Sequence, residues 1–242
     1  MVDSTLDKSA PGPWSGWLHG LLGVIIFSGS LPATRLAVQD MDPLLLTFLR
    51  ASIAGLLAIA LLVGFRQERP RLAPPGSLII LSSGEVLGFP LLTALALQRI
   101  TSAHSIVFIG LLPLMTAIFG VLRGGERPQR AFWIFSLLGS LLVMGFALTQ
   151  SAATSLSGDL LMLAAVIACG LGYAEGAKLT RELGGWQVIC WALVISLPAT
   201  VPLAALSWPA AHLPAPAWAG FAYVSVFSMW LGFFAWYRGL AL

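Results

Sequence analysis

Charged residues are scarce in this sequence. Asp, Glu, Lys and Arg together account for 10% of its 242 residues, whereas a soluble domain contains roughly 25%. Apolar residues account for 58%, and runs of the length needed to cross a hydrocarbon core, about 20 helical residues, recur along the chain. The scarcity of charge therefore excludes an ordinary soluble domain and predicts an all-α integral membrane protein.

Cysteine and histidine are equally sparse. The two cysteines, Cys169 and Cys190, fall within adjacent apolar runs, which excludes a secreted disulfide framework. The three histidines lie on different runs or loops and are not spaced i, i+4, so the sequence predicts no metal site. A phosphate-binding G-x-x-x-x-G-K-[ST] loop is also absent, which argues against ATP hydrolysis within this chain.

The basic residues form no continuous stripe, so the net charge of +3 does not indicate nucleic-acid binding. They instead indicate a membrane orientation. With a cytoplasmic N-terminus, two basic residues near span ends, Arg35 and Arg99, lie outside. Ten lie inside: Lys8, Arg66, Arg69, Arg71, Arg123, Arg127, Arg130, Lys178, Arg181 and Arg238. The positive-inside rule then predicts that the N-terminus is cytoplasmic. We expect a multi-pass protein of the cytoplasmic (inner) membrane.

Eight apolar runs are long enough to be read as membrane-spanning helices, and the connections between them are short. Short connections make consecutive helices antiparallel neighbours in a bundle. The predicted spans cover about 17–38, 43–65, 76–98, 101–122, 131–149, 157–180, 185–206 and 215–240.

The sequence also contains an internal echo. The segment GWLHGLLGVI from Gly16 resembles GDLLMLAAVI from Gly158, and TALAL at 93–97 resembles RGLAL at 238–242. These matches relate the first span to the sixth and the third to the eighth. Five helices separate the copies, so the second copy crosses the membrane in the opposite sense. Inverted repeats of this kind are typical of secondary transporters.

The echo predicts two inverted five-helix repeats, at 1–149 and 157–242. The second repeat is expected to be truncated after its third helix, because residues 98–149 have no counterpart before Leu242. Eight helices are thus visible of an expected ten.

Several segments resemble one transporter family in their order and spacing. They are LLTFLRASIAGLL ending at Leu57, ALALQRITSAHSIVFIGLLPLMTAIFGVLRGGERP at 94–128, GDLLMLAAVIACGLGYAEGAKL at 158–179 and WLGFFAWYRGLAL at 230–242. Together they make the chain similar to the drug/metabolite transporter superfamily, specifically its EamA-type ten-helix members. The arginine at position 50 and the GERP segment match the family pattern.

This resemblance implies a central cavity that faces each side of the membrane in turn, with no cofactor and no enzymatic step. Many such proteins export amino acids or other small metabolites. We therefore expect a secondary transporter that exports a small metabolite by alternating access, with the lipid bilayer as its surroundings. A coupled proton or counter-substrate and a homodimer are left open. The alternatives are a non-transporting membrane fragment or assembly subunit, and an intramembrane enzyme.

Charged residues within spans are candidates for function because an unpaired charge near the bilayer centre is costly. Glu85, within SSGEVLGFP, lies near the midplane at about 1.5 Å per helical residue, and Arg50 lies at a similar depth. Glu85 is expected to couple protons or to bind a substrate amine. Arg50 is expected to be its partner or to bind a carboxylate. The structural alternatives are a buried Glu85–Arg50 pair that only fixes two helices, or an Arg50 side chain that only snorkels outward.

Three other side chains are candidates for contact with substrate: His104 near the outer mouth, and Tyr173 and Trp230 within spans. Ser28, Ser30 and Tyr237 could line the same cavity. Glu175 precedes Lys178 by one helical turn, which predicts an interfacial ion pair between them.

Small residues and prolines within the spans predict features of packing. Gly84 with Gly88, and Gly172 with Gly176, form GxxxG patterns that allow helix backbones to approach closely. Prolines remove a helical hydrogen bond and often bend a span. Those within the spans are Pro32, Pro90, Pro113, Pro198 and Pro202.

Overall fold

The computed structural model of the chain describes residues 14–67, 75–148, 155–209 and 212–242. These residues form helices and connecting turns, with no strand among them. We number the helices α1 (Ser15–Ala37), α2 (Pro43–Gly64), α3 (Gly76–Leu97), α4 (Ser102–Gly124), α5 (Arg130–Leu148), α6 (Leu156–Leu183), α7 (Gly185–Leu206) and α8 (Ala215–Ala241). The all-α prediction is confirmed.

Seven of these helices are long and apolar enough to cross a membrane, and Arg130–Gly145 of α5 is apolar as well. Each of the eight predicted spans therefore corresponds to a helix among the described residues. Residue 149, where the first repeat is predicted to end, lies outside the described residues.

Polar side chains at the helix starts explain where three of these helices begin. Asp42 accepts hydrogen bonds from two backbone N–H groups at the start of α2, where Pro43 follows. Thr101 caps α4 and Ser155 caps α6 in the same way. Each cap satisfies N–H groups that a helix leaves unpaired at its N-terminus. These caps fix the helix starts on the face that carries the α1–α2, α3–α4 and α5–α6 connections.

Three helices are interrupted just before a proline. The α-helix of α1 breaks at Gly29 before Pro32, and that of α4 breaks between Ile109 and Leu112 before Pro113. In α3 a π-helical segment, Ser82–Gly88, precedes Pro90. Each proline lacks the N–H that would bond the carbonyl four residues earlier, which lies within or beside the interruption. By contrast, α7 remains α-helical through Pro198 and Pro202.

Helix α8 also contains a π-helical segment, Tyr223–Gly232, without any proline. It lies in the helix that the internal echo relates to α3. Such segments are rare and occur often at functional sites. The 3.6-residue periodicity of the sequence gives no sign of either one.

Antiparallel pairs build the bundle: α2 with α7, α3 with α6, and α1 with α8. Glycines allow the close approach. A Cβ on Gly84 would lie 2.5 Å from the Ala168 carbonyl oxygen of α6, and a Cβ on Gly239 would lie 2.9 Å from the Gly16 carbonyl oxygen of α1. Helix α4 runs parallel to α6, with Met115 beside Gly170.

Most described basic residues lie at one end of the bundle, which we call the arginine-rich face: Arg66, Arg123, Arg127, Arg130, Lys178, Arg181 and Arg238. Side chains at this end contact each other across helices, such as Gln67 with Gln187. Arg35 and Arg99 lie at the opposite face. Lys8, Arg69 and Arg71, which the orientation prediction also uses, lie outside the described residues.

Candidate functional site

A cavity of about 970 Å³ lies among the interrupted helices. Its wall is mainly apolar and is formed by α1, α2, α3, α4, α5, α6, α8 and the loop after α4. The prolines of two interruptions, Pro90 and Pro113, both belong to this wall. Small-molecule sites are commonly cavities of this size with few polar groups, so this is the candidate binding site.

Glu85 lies in the cavity wall on the π-helical segment of α3. The side chain is fully buried, and its Oε2 accepts a hydrogen bond of 2.5 Å from the Tyr237 hydroxyl of α8. Its Oε1 has no hydrogen-bond partner. A buried carboxylate with one oxygen unsatisfied is costly, so Glu85 has unused capacity to accept a hydrogen bond.

Two glycines of α6 make room for this contact. A Cβ on Gly172 would lie 3.0 Å from the Glu85 Cβ, and a Cβ on Gly176 would overlap the Tyr237 hydroxyl. The GxxxG pattern at these positions was predicted to serve packing. It does bring α3 close to α6, and it also provides a slot for the Glu85–Tyr237 pair.

Arg50 lies in the same cavity wall, on α2. Its side chain is 6% exposed, and its Nε has no hydrogen-bond partner. It does not form an ion pair with Glu85, whose hydrogen-bond partner is Tyr237. The expected structural alternative, a Glu85–Arg50 pair that fixes α2 to α3, is therefore not present in this conformation.

Hydroxyl groups add polar contacts to the wall. Ser30 of α1 donates a hydrogen bond of 2.8 Å to Ser228 of α8. Both residues line the cavity, as do Ser28 and Thr93. The Thr93 hydroxyl is buried and has no hydrogen-bond partner. The wall thus offers several hydroxyls besides the charged side chains of Arg50 and Glu85.

Aromatic rings form another part of the wall. Tyr173 of α6 lies with its ring centroid 5.5 Å from that of Trp236 and 6.5 Å from that of Phe233. Phe27 of α1 packs on Phe233 at 4.9 Å. All four residues line the cavity, so the prediction that Tyr173 faces it agrees with the position of this ring. The neighbouring rings present both apolar surface and π faces to a bound molecule.

Two candidate residues lie away from the cavity wall. His104 lies near the face opposite the arginine-rich face, and its Nε2 is 2.8 Å from Asp159 Oδ1 of α6. Trp230 packs against Phe234 with ring centroids 5.4 Å apart, and its indole N–H has no hydrogen-bond partner. Neither side chain is part of the wall in this conformation.

Glu175 differs from expectation in its partner. The predicted partner was Lys178 on the same helix, but Glu175 Oε1 accepts a 2.5 Å contact from Arg123 Nε of α4. Because α4 and α6 run parallel, their arginine-rich ends meet and place these two residues together. A second pair joins Arg181 of α6 to Glu126 of the loop after α4 at 3.6 Å.

The two ends of the cavity differ. At the arginine-rich face, the wall includes Glu126 and Arg127 of the loop after α4. At the opposite face, the Arg35 guanidinium of α1 donates to the carbonyl oxygens of Leu97 and Ile100 at the end of α3. Arg35 therefore connects α1 to the end of α3 at the face opposite the arginine-rich face.

Known proteins are similar to this chain in sequence and in fold. Residues 14–148 match the EamA-like transporter family. The chain is 63% identical, over 231 residues, to the uncharacterized transporter YdeK of Bacillus subtilis (strain 168). The aligned region covers 94% of this chain and 80% of the relative. The chain belongs to the EamA-like transporter family.

More distant similarities agree with this membership. An uncharacterized transporter of Archaeoglobus fulgidus is 23% identical over 228 residues, covering 90% of this chain and 78% of the relative. A solved crystal structure shares the fold with a TM-score of 0.68 at 18% identity, covering 94% of this chain and 79% of that one. Together with the seven long apolar helices, membership of the EamA-like family identifies a multi-pass membrane transporter.

The Glu85–Tyr237 contact is the main feature of the site that sequence reasoning missed. The sequence indicates Tyr237 only as a residue that could line the cavity, whereas the structure places it outside the wall, against Glu85. The two residues are 152 positions apart, and no local pattern connects them. The glycine at position 176, opposite the phenol, is the one signal in the sequence, but glycine at this spacing predicts packing equally well.

Proposed function

We propose that this EamA-like protein is a secondary carrier that exports a small zwitterionic metabolite, such as an amino acid or a related compound, by alternating access. In this proposal the membrane is the cytoplasmic (inner) membrane, and the N-terminus and arginine-rich face are cytoplasmic. Export is the direction implied by the family resemblance, and orientation rests on the positive-inside rule.

One observation carries the choice of substrate: Arg50 and Glu85 share a cavity wall but do not pair with each other. A zwitterion could neutralise both, with its carboxylate on Arg50 and its ammonium on Glu85. Arginine suits this role because its planar donors match a carboxylate. Since unpaired charges inside a membrane are costly, binding such a molecule would recover part of that cost.

The rest of the wall suits a small amphipathic molecule. The hydroxyls of Ser30, Thr93 and Ser228 could orient polar groups, while Tyr173 and Trp236 provide surface for an apolar side chain. Glu85 is 0% exposed, so a ligand would reach it only when the wall opens. This is expected of a group that is accessible at one stage of a transport cycle.

Alternating access in this proposal follows from the two inverted repeats, 1–149 and 157–242. The internal echo relates α1 to α6 and α3 to α8. Exchanging the two repeats therefore converts the α1–α8 contact into the α6–α3 contact, and both contacts are antiparallel pairs of the bundle. This correspondence supports a pseudo-two-fold arrangement, in which one repeat could rock against the other around the cavity.

Efflux from proteoliposomes tests the proposal. The purified chain is reconstituted into vesicles loaded with an equimolar mixture of the twenty common amino acids, and the external medium is sampled by mass spectrometry. We expect one amino acid, or a small chemically related group, to leave faster than from protein-free vesicles. The same vesicles made with the Arg50→Met/Glu85→Gln variant should show no such efflux. Equal rates with and without the wild-type protein would refute the proposal.

A further inference from the structure

We infer that Tyr237 is a positioning residue that holds one oxygen of Glu85 and leaves the other for an ammonium group carrying at least one N–H. This inference rests on the proposed function, because it concerns the cation end of the proposed zwitterion site. It specifies the substrate class further: a primary, secondary or tertiary ammonium, rather than a quaternary one.

The position of Tyr237 is fixed on several sides. The residue is 0% exposed, and its ring stacks on Phe233 with centroids 6.1 Å apart and planes at 27°. Its hydroxyl fits where Gly176 lacks a side chain, and from there it donates to Glu85 Oε2. Phenol and carboxylate come from α8 and α3, while the slot comes from α6. Three helices therefore define the orientation of one carboxylate.

This orientation makes the two carboxylate oxygens different. Oε2 is satisfied by Tyr237, and Oε1 is buried without a partner. A donor N–H would satisfy Oε1 and would form a charge-assisted hydrogen bond. A quaternary ammonium has no N–H, so it would leave Oε1 unsatisfied even if it were close enough for Coulomb attraction.

The aromatic rings of the wall do not make this distinction. Tyr173 and Trp236 could attract any cation through their π faces, whether or not it carries a hydrogen-bond donor. Selectivity for an N–H group therefore depends on Glu85 Oε1. If Tyr237 ceased to hold Oε2, the carboxylate could rotate and the difference between its oxygens would be lost.

Infrared spectroscopy tests the positioning role without any substrate. The carboxyl band missing from Glu85→Gln identifies the contribution of Glu85. We expect Tyr237→Phe, which keeps the packed ring, to shift this band. Tyr223→Phe is the matched control, since the Tyr223 hydroxyl of the same helix donates to Ile26 O at 2.8 Å. It should leave the band in place.

Gly176→Ala is a second variant for the same measurement, because its added methyl displaces the Tyr237 hydroxyl without removing it. It should also shift the Glu85 band. A Glu85 band that stays at the same frequency in both Tyr237→Phe and Gly176→Ala would overturn the positioning role.

Equilibrium binding to the chain in nanodiscs tests the ligand class, with butylammonium and butyltrimethylammonium as probes. We expect wild-type protein to bind butylammonium more tightly. Tyr237→Phe should weaken butylammonium binding about 10-fold, because a carboxylate free to rotate no longer holds Oε1 for the ligand N–H, and one charge-assisted hydrogen bond is worth roughly that factor. Butyltrimethylammonium binding should hardly change, and Tyr223→Phe should alter neither.

Equal affinity for the two probes, or binding of neither, would overturn the assignment of an N–H cation to Glu85. These outcomes are separate from failure of the carrier proposal. A protein that releases amino acids from vesicles but does not distinguish the probes keeps its proposed function and loses this inference. A protein that distinguishes the probes but releases no amino acid keeps this N–H cation site and loses its proposed function as a carrier.

Discussion

Arg50 of α2 and Glu85 of α3 lie in the wall of one cavity, yet they do not form an ion pair. Glu85 instead accepts a hydrogen bond from Tyr237, and the Arg50 Nε has no partner. In a membrane interior, two opposite charges that share a cavity would be expected to pair if pairing were their purpose. Their separation leaves both charges available to a ligand, and each can be tested by itself.

Replacing Glu85 by Gln should abolish most of the transport flux, and the flux that remains should depend less on pH. If an ionised Glu85 binds the substrate ammonium, wild-type flux falls as the pH decreases and the carboxylate takes up a proton. Gln has no such proton to gain, so the residual flux of Glu85→Gln should vary less with pH. Efflux from vesicles at a series of pH values measures this effect. Glu182→Gln, on the exposed end of α6, is the control.

A coupling role for Glu85 through protons predicts the same flattened profile, whereas a purely structural role does not. If Glu85→Gln keeps both the flux and the pH profile of the wild type, Glu85 takes no part in transport.

Replacing Arg50 by Lys should weaken transport of substrates that carry a carboxylate. Lysine keeps the positive charge but loses the planar pair of donors that matches a carboxylate. We expect the Michaelis constant to rise about 10-fold, equivalent to one charge-assisted hydrogen bond. The exposed Arg130 offers the control variant Arg130→Lys. An Arg50→Lys protein with unchanged kinetics would show that Arg50 does not contact the carboxylate.

An alanine at Gly176 should lower the thermal stability of the protein, because its Cβ would overlap the Tyr237 hydroxyl. Overpacking of a buried site typically costs about 1–3 kcal/mol. Unfolding in detergent, followed by intrinsic fluorescence, measures the change. Gly139→Ala in α5 is the control, since nothing lies within 4 Å of a Cβ there. Equal melting temperatures for the two variants would argue against a filled slot at Gly176.

Replacing Arg35 by Gln should loosen the contacts between α1 and the end of α3, at the face opposite the arginine-rich face. The guanidinium of Arg35 donates to the carbonyls of Leu97 and Ile100, and a neighbouring bond joins Ser102 to Leu31 O at 3.4 Å. A cysteine at position 102, in a chain whose two native cysteines are replaced by alanine, reports on access. A membrane-impermeant thiol reagent should label it several-fold faster in Arg35→Gln.

The exposed Arg99 lies at the same face, and Arg99→Gln is the matched control. Labelling rates that rise equally in both variants would show a general effect of lost charge and not a closure made by Arg35.

Much of the fold follows from the sequence for simple physical reasons. Apolar run length predicts helices that cross a membrane, and Asp42 before Pro43 marks the start of α2 by a cap that needs only neighbouring residues. Glu85 stands out as a functional candidate because charge within a span is costly wherever its partner lies. These inferences depend on composition or on contacts within one helical turn.

The arrangement of side chains in the site cannot be predicted from the length of the apolar runs or from the depth of a residue in the membrane. Similar depths made an Arg50–Glu85 pair plausible, but depth along the membrane normal does not say which way a side chain points around its helix. The π-helical segment Ser82–Gly88 changes that direction from the one given by a 3.6-residue period. The partners of His104 and Glu175 were missed for a related reason, because they depend on the parallel packing of α4 and α6.

Competition with half-substrates tests the central claim most directly. The amino acid that leaves vesicles fastest is compared with its analogue lacking the ammonium and its analogue lacking the carboxylate, in wild type, Arg50→Lys and Glu85→Gln. If the two residues hold opposite ends of one molecule, Glu85→Gln weakens inhibition by the amine analogue alone, and Arg50→Lys weakens inhibition by the acid analogue alone. If each variant weakens inhibition by both analogues equally, or if neither variant weakens inhibition by either analogue, two-point binding by Arg50 and Glu85 is contradicted.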